Sequence, residues 1–457
     1  MTLTSINPTN GTILKEFEEW DQTQIEIQIK KTQKSFTNWK GTSHSDKSDL
    51  LKKVSRILRE DIKRLSTLIS MEMGKPILQS EYEIEKCARL CEYYATYGKQ
   101  FLKNENIESK EYSSYIQFLP LGIVLIIMPW NFPFWQVFRC AVPSLVAGNV
   151  VLLKHASNVP QCGYAIEDIF LKAGFQENVF SFLPISSKLA SNVITDDRIA
   201  ALSFTGSTSA GSHIASLAGK HIKKIVLELG GSDPFIVLDD VDLNETVKQA
   251  VKARIINNGQ SCIAAKRFIV QHGIFHEFQE LFKEEIERLI IDDPLNKSTD
   301  IGPLATEEML NNVDKQVHTS VKQGAKLISG VTRLHDRCGF FYQPTVLTCV
   351  SKEMPIMKEE TFGPVAPLIK VKNEKEALEI ANDSCYGLGA SIWTNNITKA
   401  KSIAKQVQAG NVFINDIVKS DPSLPFGGIK QSGFGRELSH YGIKEFVNIQ
   451  SVCIRKH

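Results

Sequence analysis

The chain has 457 residues, of which 42% are hydrophobic and 23% charged, with a formal net charge of +2 at pH 7. This length exceeds what one hydrophobic core usually supports, so we expect two or three domains of an ordinary globular protein. The near-neutral charge, without basic runs interleaved with aromatic residues, argues against nucleic acid as a partner. The chain start lacks a signal-peptide layout, and the most apolar segment, 121–128, is too short to span a membrane.

The first quarter of the chain predicts an arm and two helices. Residues 1–20 indicate an irregular arm with short extended pieces. The apolar periodicity of residues 46–73 predicts one amphipathic helix, which ends at Gly74. A second helix is expected to about residue 103, followed by a polar linker over 104–114.

From residue 116 onward the pattern changes to alternating strands and helices. We expect β structure over 116–128. The further expected strands are 150–153, 179–183, 200–204 and 224–229, and the helices are 133–147, 165–173 and 209–218. Such alternation predicts a parallel sheet with helices on both faces. A second alternating set runs from residue 234 to about 415, so we place a boundary near Gly230 and Gly231.

The C-terminal run 446–454 predicts a final strand that has nothing after it to pair with. Together with a hairpin expected near 116–125, such a strand would complete a sheet elsewhere or in a neighbouring subunit.

The nine cysteines are scattered, with no Cys-x-x-Cys pair, and no histidine pair carries an acidic partner motif. We therefore expect a reducing, cytoplasmic compartment and no metal site. Cys262 is distinctive because it follows a polar, glycine-containing turn and precedes an apolar, β-prone run. A thiol at the mouth of a strand can be reached by a substrate. The alternative is a buried structural cysteine.

Two further residues could serve a reactive thiol. Asn131 follows an expected strand, and Pro133 suits the first turn of the next helix, so the amide is free to donate to an oxyanion. A simple helix cap is the alternative. Glu228 ends an apolar strand before two glycines, where partial burial would raise its pKa towards that of a general base. A solvated strand-end glutamate is the alternative.

Small residues after a strand, and a glutamate two residues from an aromatic ring, indicate a nucleotide site. Gly206, Ser207 and Gly211 open a helix after an apolar strand, an arrangement that seats phosphate, although a plain tight turn fits equally. Glu360 could hold ribose hydroxyls while Phe362 packs near a flat heterocycle, although this motif taken alone fits an exposed surface charge better. A glycine-dense loop over 425–436 adds a further candidate functional segment.

These motifs, in this order, resemble the aldehyde dehydrogenase superfamily, and the segments 223–238 and 432–440 are most similar to bacterial succinate-semialdehyde dehydrogenases. The resemblance implies an α/β, aldehyde dehydrogenase-like fold. Its expected parts are a Rossmann-type NAD(P)-binding domain (1–102 and 121–230), an α/β catalytic domain (231–434) and a small β oligomerisation element (103–120 and 435–457). A homodimer or homotetramer is implied as well.

The resemblance also implies the roles of the residues. Cys262 attacks the aldehyde, Asn131 and the Cys262 N–H hold the alkoxide, hydride passes to nicotinamide, and Glu228 activates water to hydrolyse the thioester. Lys154 reaches the adenosine ribose, Ser207 the pyrophosphate and Glu360 the nicotinamide ribose. The other implied cofactor-binding residues are Trp130, Ser157, Gly206, Gly211, Leu229 and Phe362.

One departure from the family pattern bears on the cofactor. The family's common Lys-Pro-Ser-Glu is Lys154-His155-Ala156-Ser157 in this chain. The missing carboxylate would repel a 2′-phosphate, whereas Ser157 and Lys154 can accept one. We expect use of NADP or NAD, with a lean towards NADP.

Trp135 and Arg139 lie one turn apart and should project towards the acyl pocket, where the arginine fork suits a carboxylate. Ser261 and Ser420 could add donors, and Phe426 completes the expected substrate set. The expected substrate is a short aldehyde with a terminal carboxylate, succinate semialdehyde above all.

Several alternatives stay open. Arg139 could instead pair with a structural acid. The substrate could be glutarate semialdehyde or an uncharged aliphatic aldehyde. A CoA-acylating aldehyde dehydrogenase is less favoured, because that reaction needs no base for water. A cysteine hydrolase would turn over without NAD(P), and a non-enzymatic relative would have lost Cys262, Glu228 or Asn131.

Overall fold

The structure is a computed structural model that describes residues 2–108, 111–330, 334 and 337–456. The helices in these ranges are α1 (Gln22–Trp39), α2 (His44–Glu60), α3 (Ile62–Met73), α4 (Ile77–Phe101), α5 (Trp135–Val146), α6 (Pro160–Lys172), α7 (Ser187–Thr195), α8 (Thr208–Lys220), α9 (Leu243–Ile255), α10 (Phe275–Glu287), α11 (Glu307–Lys322), α12 (Pro355–Lys358), α13 (Glu374–Asn382), α14 (Ile397–Ala404) and α15 (Ser439–Glu445). A short 3₁₀ turn, Ile256–Gly259, follows α9.

The strands are β1 (Thr2–Ile6), β2 (Ile13–Glu18), β3 (Glu105–Glu108), β4 (Tyr112–Pro120), β5 (Ile123–Met128), β6 (Val150–His155), β7 (Phe180–Phe182), β8 (Ile199–Thr205), β9 (Lys224–Glu228), β10 (Asp233–Val237), β11 (Ala265–Gln271), β12 (Lys326–Ser329), β13 (Thr345–Thr348), β14 (Val365–Val371), β15 (Tyr386–Gly387), β16 (Gly389–Trp393), β17 (Asn411–Ile414), β18 (Ile429–Lys430), β19 (Gly433–Phe434) and β20 (Val447–Arg455).

A six-stranded sheet has the order β19-β9-β8-β5-β6-β7. Strands β5 to β9 run parallel, and β19 joins β9 antiparallel. Every residue of β5 and β6 is buried, as expected for strands covered by helices on both faces. The predicted parallel α/β layer is therefore confirmed.

The second layer is a seven-stranded sheet with the order β12-β13-β14-β11-β10-β16-β17. It is parallel except for β12, which pairs antiparallel with β13. The second alternating set is confirmed too. The limits of the three expected domains remain a prediction.

The prediction of one helix over 46–73 is wrong, because α2 and α3 are separate helices that meet at Asp61, whose backbone is not helical. Apolar periodicity continues through the break and hides it. Helix α1, which no prediction above covers, precedes them. Gly74 does end α3, in the left-handed conformation with φ 78°.

The β structure expected over 116–128 is confirmed, and it consists of two strands, β4 and β5. Strands β4 and β5 belong to different sheets, and the chain turns at Gly122, where φ is +139°. The Asn149 side chain holds this turn by accepting from the Leu121 and Gly122 N–H groups. No hairpin forms near 116–125 in the described part of the chain, since β4 pairs with β3 and β20 instead.

The C-terminal strand finds its partner within the same chain. Strand β20 pairs with β4 over its whole length, from Val447 opposite Pro120 to Arg455 opposite Tyr112. Part of the linker predicted over 104–114 forms strand β3, which pairs with the other edge of β4. Residues 109–110 of that linker lie outside the described residues.

Candidate active site

The candidate site lies at the carboxyl edge of the six-stranded sheet. Because β5, β6, β8 and β9 are parallel, their carboxyl ends meet at this edge. Asn131 follows β5, Lys154 lies near the end of β6, Gly206 follows β8 and Glu228 ends β9. The strand order β8-β5-β6 also reverses here, and ligands bind at such switch points in open α/β sheets.

The seven-stranded sheet contributes residues that precede its strands. Cys262 comes just before β11, and Glu360 and Phe362 come just before β14. A cavity of about 1160 Å³ lies between the two groups. The predicted residues that line it are Trp130, Asn131, Gly206, Ser207, Leu229, Cys262, Glu360 and Phe362.

The backbone ahead of Cys262 is held in an unusual shape. Asn257 and Asn258 are both buried and left-handed, with φ of 54° and 59°. Asparagine adopts this conformation more readily than most residues. The Asn258 amide donates to Gly74 O at 2.8 Å and to Pro303 O at 2.9 Å, so the turn is fixed by its own side chains.

Gly259 completes the turn with φ +76°. A Cβ on Gly259 would lie 2.4 Å from the Gly363 carbonyl, so a larger residue would collide with the segment that carries Phe362. The glycine thus lets the thiol loop approach the predicted nicotinamide side of the cavity.

Asn131 contacts the same loop. Its Nδ2 donates to Gln260 O at 3.2 Å, and Asn257 Nδ2 donates to Asn131 O at 2.7 Å. The side chain is 4% exposed, and one Nδ2 hydrogen is left for a ligand. The structure therefore brings the predicted oxyanion donor to the thiol loop.

Cys262 is partly exposed at the cavity. Burial of the sulfur raises the pKa of Cys262 to about 12, although the positive charges of Arg139 and Lys266 act to lower it. The thiol is thus protonated at neutral pH in this state. That proton has to leave the sulfur before or during attack.

Lys266 is a residue of the site that the sequence analysis missed. It is 1% exposed, and its Nζ donates to Ser261 O at 2.9 Å and to Cys262 O at 2.8 Å. The same ammonium lies 3.7 Å from Glu360 Oε1. It therefore ties the thiol loop to the predicted ribose-binding carboxylate. The only sequence signal was a lysine inside an apolar strand.

Glu228 has the environment expected of a general base. It is 2% exposed, and neither carboxyl oxygen has a hydrogen-bond partner in the described part of the structure. Burial raises the pKa of Glu228 well above its ordinary value, while Arg139 lowers it and Glu437 raises it further. The glycine-dense loop packs on this group, since a Cβ on Gly427 would lie 2.8 Å from Glu228 Oε1.

Arg139 requires a correction. The sequence analysis preferred a free cation that meets the substrate carboxylate, with a structural acid as the alternative. In the structure Arg139 is 2% exposed and forms an ion pair with Glu437, and its guanidinium carbon stands 4.6 Å above the centre of the Phe426 ring. Its charge is therefore already neutralised. Glu437 lies in the segment 432–440 that resembles succinate-semialdehyde dehydrogenases, but nothing local in the sequence indicates that it pairs with Arg139.

The other predicted substrate residues are buried nearby but do not line the large cavity. Trp135 Nε1 donates to Ser420 Oγ at 2.9 Å, and Phe426 lies under Arg139. The Ser261 hydroxyl is fully buried without a hydrogen-bond partner among the described residues.

Glu83 positions the start of α5, a role that the sequence analysis does not predict. Its Oε1 accepts from the Phe134 and Trp135 N–H groups, at 2.9 Å each, and its other oxygen pairs with the buried Lys75. Lys75 Nζ also stands 3.9 Å from the centre of the Phe132 ring. This buried pair therefore fixes the corner that carries Asn131.

The predicted phosphate seat has the geometry of a helix N-terminus. Ser207 caps α8 by accepting from the Ala210 N–H. A Cβ on Gly206 would lie 2.5 Å from the Phe204 ring, and one on Gly211 would lie 2.4 Å from Leu229. The small residues let the backbone lie close to the sheet and keep its N–H groups accessible to an anion.

Lys154 fits an anionic group at the next strand. It is 6% exposed and has no ion pair or hydrogen bond in the described structure, and burial lowers the pKa of Lys154 to about 8 while Glu19 raises it. Ser157 is exposed just beyond the strand. Neither residue lines the large cavity.

The residues predicted to bind the nicotinamide end of the cofactor lie together at the cavity. Glu360 Oε1 accepts from the Gly231 N–H at 3.0 Å, and the Trp130 and Phe362 rings meet edge to face at 5.8 Å.

Two properties of the described residues bear on metal binding and membrane insertion. No group of three or more His, Cys, Asp or Glu residues is arranged to hold a metal ion. None of the described helices combines the length and apolar character needed to cross a membrane.

Comparisons with known proteins agree with this geometry. The model of the aldehyde dehydrogenase family matches residues 1–452. A probable NADP(+) succinate-semialdehyde dehydrogenase of Synechocystis sp. is 47% identical, over 99% of this chain and 100% of the relative. Succinate-semialdehyde dehydrogenase (NADP(+)) 1 of Mycobacterium tuberculosis is 42% identical with the same coverage.

A solved structure supports the same assignment. The crystal structure of succinic semialdehyde dehydrogenase from Streptococcus pyogenes, in complex with NADP+ as the cofactor, has a TM-score of 0.97 and 35% identity, over 99% of this chain and 100% of that chain. With the matched fold, the match over almost the full length and the assembled site, this chain belongs to the aldehyde dehydrogenase family.

Proposed function

We propose that this protein oxidises succinate semialdehyde to succinate with NADP as hydride acceptor. The observation that carries the proposal is the contact of the Asn131 amide with the loop of Cys262, two residues ahead of the thiol, beside one cavity. An amide donor beside a thiol suits covalent addition to an aldehyde carbonyl. Relatives named for this activity, at 42–47% identity, support the choice of substrate.

The residues divide the reaction among them. The Cys262 thiol gives up its proton to solvent as its sulfur bonds to the aldehyde carbon, and the oxygen that becomes negative accepts hydrogen bonds from Asn131 Nδ2 and the Cys262 N–H. When bound, NADP supplies the acceptor for the hydride. The acyl group then remains on Cys262 as a thioester. Glu228 takes a proton from water, which attacks the thioester and releases the acid.

The chain offers NADP a seat at two places. The N-terminus of α8, opened by Ser207 and the close-packed Gly206 and Gly211, suits the pyrophosphate. Lys154, a buried cation without an ion pair in the described structure, and the exposed Ser157 suit the 2′-phosphate. We expect Ser157→Glu to shift the preference to NAD, because a carboxylate repels the phosphate and holds ribose hydroxyls.

We further infer a homodimer or homotetramer in the cytoplasm. The three-stranded sheet of β3, β4 and β20 supports this, since it exposes Ile107, Ile449 and Ile454 with more than half of each side chain accessible. All nine cysteines are free, which is consistent with a reducing compartment. Light scattering coupled to gel filtration would test the assembly, and a monomer would contradict it.

Steady-state kinetics with succinate semialdehyde, glutarate semialdehyde and butanal, each with NADP and NAD, test the function. We expect the highest kcat/KM for succinate semialdehyde with NADP. An equal or higher kcat/KM for butanal would contradict the substrate, and a higher one with NAD would contradict the cofactor. A product that requires CoA would contradict hydrolysis by water.

A further inference from the structure

Lys266 binds the carbonyl groups of the loop that carries the thiol. It is the second residue of β11 and is 1% exposed. Its Nζ donates to Ser261 O at 2.9 Å, to Cys262 O at 2.8 Å and to Ala264 O at 3.3 Å. Only the protonated amine has three N–H groups, so three acceptors indicate a charged ammonium. A buried positive charge therefore lies directly behind the thiol loop.

Neighbouring acids support this charge. Burial lowers the pKa of Lys266, whereas the negative charges of Glu360 and Asp233 raise it. The positive charge of Arg254 lowers the pKa of Lys266 further, and Cys262 raises it. Glu360 Oε1 lies 3.7 Å from the ammonium. Because the three carbonyl groups occupy all three N–H donors, Lys266 has none left for a substrate and can act only through the backbone that it holds.

The direction of the Cys262 N–H follows from these contacts. A peptide group is planar and trans, so its carbonyl and its N–H point in opposite directions. Since Ser261 O points at Lys266, the N–H of the same peptide, which belongs to Cys262, points away from the ammonium. No described residue accepts a hydrogen bond from it. A cation at the carbonyl end also polarises the peptide, which makes this N–H a stronger donor.

Close packing prevents the loop from turning over. A Cβ on Gly231 would lie 2.5 Å from Cys262 O, so only glycine lets this backbone approach the loop. The Gly231 N–H donates to Glu360 Oε1 at 3.0 Å, and the same oxygen faces Lys266. The Cys262 carbonyl is thus enclosed by the ammonium and by the segment after β9. A rotation of the loop would break all of these contacts.

We propose that Lys266 is a positioning residue for the oxyanion site, whose ammonium orients and polarises the Ser261–Cys262 peptide so that the Cys262 N–H binds the substrate oxygen. The inference rests on the proposed function, since it presumes an acyl group on Cys262. A lysine with a merely structural role would stabilise the fold but leave the strength of that hydrogen bond unchanged. The two roles therefore differ in what the acyl oxygen experiences.

Infrared difference spectra of the acyl-enzyme measure this hydrogen bond. Glu228→Gln is mixed with NADP and succinate semialdehyde, isotopically labelled at the aldehyde carbon or unlabelled, so that the thioester accumulates and its carbonyl stretch is identified. A stronger hydrogen bond to the carbonyl oxygen lowers the stretching frequency. We expect a higher frequency when Lys266→Met is added to Glu228→Gln, because the Cys262 N–H is then neither held nor polarised.

Steady-state kinetics give a second readout. Loss of a whole oxyanion donor lowers kcat about 10²- to 10³-fold. Lys266→Met leaves the N–H in place, so we expect a smaller fall in kcat, about 10- to 100-fold, with KM for succinate semialdehyde within about threefold.

Arg267→Met is the matched control. Arg267 is the next residue of β11, is also 1% exposed and also donates to carbonyl groups. Those carbonyl groups lie outside the thiol loop and belong to Ser232, Ile380 and Ala381. Arg267→Met should therefore lower the stability measured by urea titration without raising the thioester frequency.

The outcomes separate the two claims. A Glu228→Gln protein without a thioester carbonyl band would overturn the proposed function before Lys266 is varied. A band that does not move with Lys266→Met, or that rises equally with Arg267→Met, would overturn the role of Lys266. If Lys266→Met does not fold, Lys266→Gln takes its place, because its amide keeps a donor for one carbonyl but carries no charge. An unchanged frequency in Lys266→Gln would overturn the role in the same way.

Discussion

Replacing Glu83 by Gln isolates the buried pair that fixes the Asn131 corner. Lys75 is fully buried and would be left without its partner, so its ammonium must either stay charged in the interior or lose its proton. Burial already lowers the pKa of Lys75, and Glu83 opposes that shift. Deprotonation is therefore the easier route once the carboxylate is gone.

The magnitude follows from the lysine's pKa in the unfolded chain, about 10.4. Neutralising that amine at pH 7.5 costs about 4 kcal/mol, within the range of about 3–5 kcal/mol for a broken buried ion pair. The unfolded Glu83→Gln chain binds one more proton than the folded chain, so its stability relative to the parent rises with pH. The gain is about 1.4 kcal/mol per pH unit. The deficit, which is the loss of unfolding free energy relative to the parent protein, should shrink to about 1 kcal/mol at pH 9.5.

Urea titrations followed by tryptophan fluorescence at pH 7.5, 8.5 and 9.5 measure this deficit. The double variant Lys75→Met with Glu83→Gln has no buried amine, so its deficit should not change with pH. Glu85→Gln, which disrupts a more exposed ion pair on the same helix, should cost at most about 1 kcal/mol. A Glu83→Gln deficit that is independent of pH would refute the reasoning, because Lys75 would then keep its charge.

Two further predictions concern the reaction and the cofactor. Asn131→Ala should lower kcat about 10²- to 10³-fold with little change in KM, as measured by NADPH formation, because it removes one oxyanion donor; a loss confined to KM would contradict that role. The affinity for NADP should fall by up to about tenfold per pH unit above pH 8 or so, because Lys154 becomes neutral there. Calorimetry with NAD, which lacks the 2′-phosphate, should show no such fall, and parallel curves for the two cofactors would contradict the assignment of Lys154.

The parts of the molecule that sequence predicts well are those with local signals. Alternating apolar runs indicated both parallel layers, and Gly74 indicated the end of α3. The candidate residues Asn131 and Glu228 follow or end parallel strands of one sheet, so topology alone brings them towards one edge, whereas Cys262 precedes β11 of the other sheet. That is why the approach of Asn131 and Glu228 could be anticipated without coordinates.

The parts that sequence does not predict depend on contacts between distant segments. Arg139 and Glu437 are almost 300 residues apart, and nothing local shows that they pair. The same holds for Lys86 and Ser420, which reach each other from α4 and a loop after β17. The break at Asp61 was missed for a different reason, since the apolar stripe of α2 continues into α3.

The central claim is that Cys262 carries the acyl group and that Glu228 acts only after the hydride has left. Rapid mixing of Glu228→Gln with saturating NADP and succinate semialdehyde tests it most directly. We expect a burst of one NADPH per subunit followed by very slow turnover, with a succinyl group on the peptide that contains Cys262 by mass spectrometry. Absence of the burst, or a succinyl group on another residue, would contradict the account.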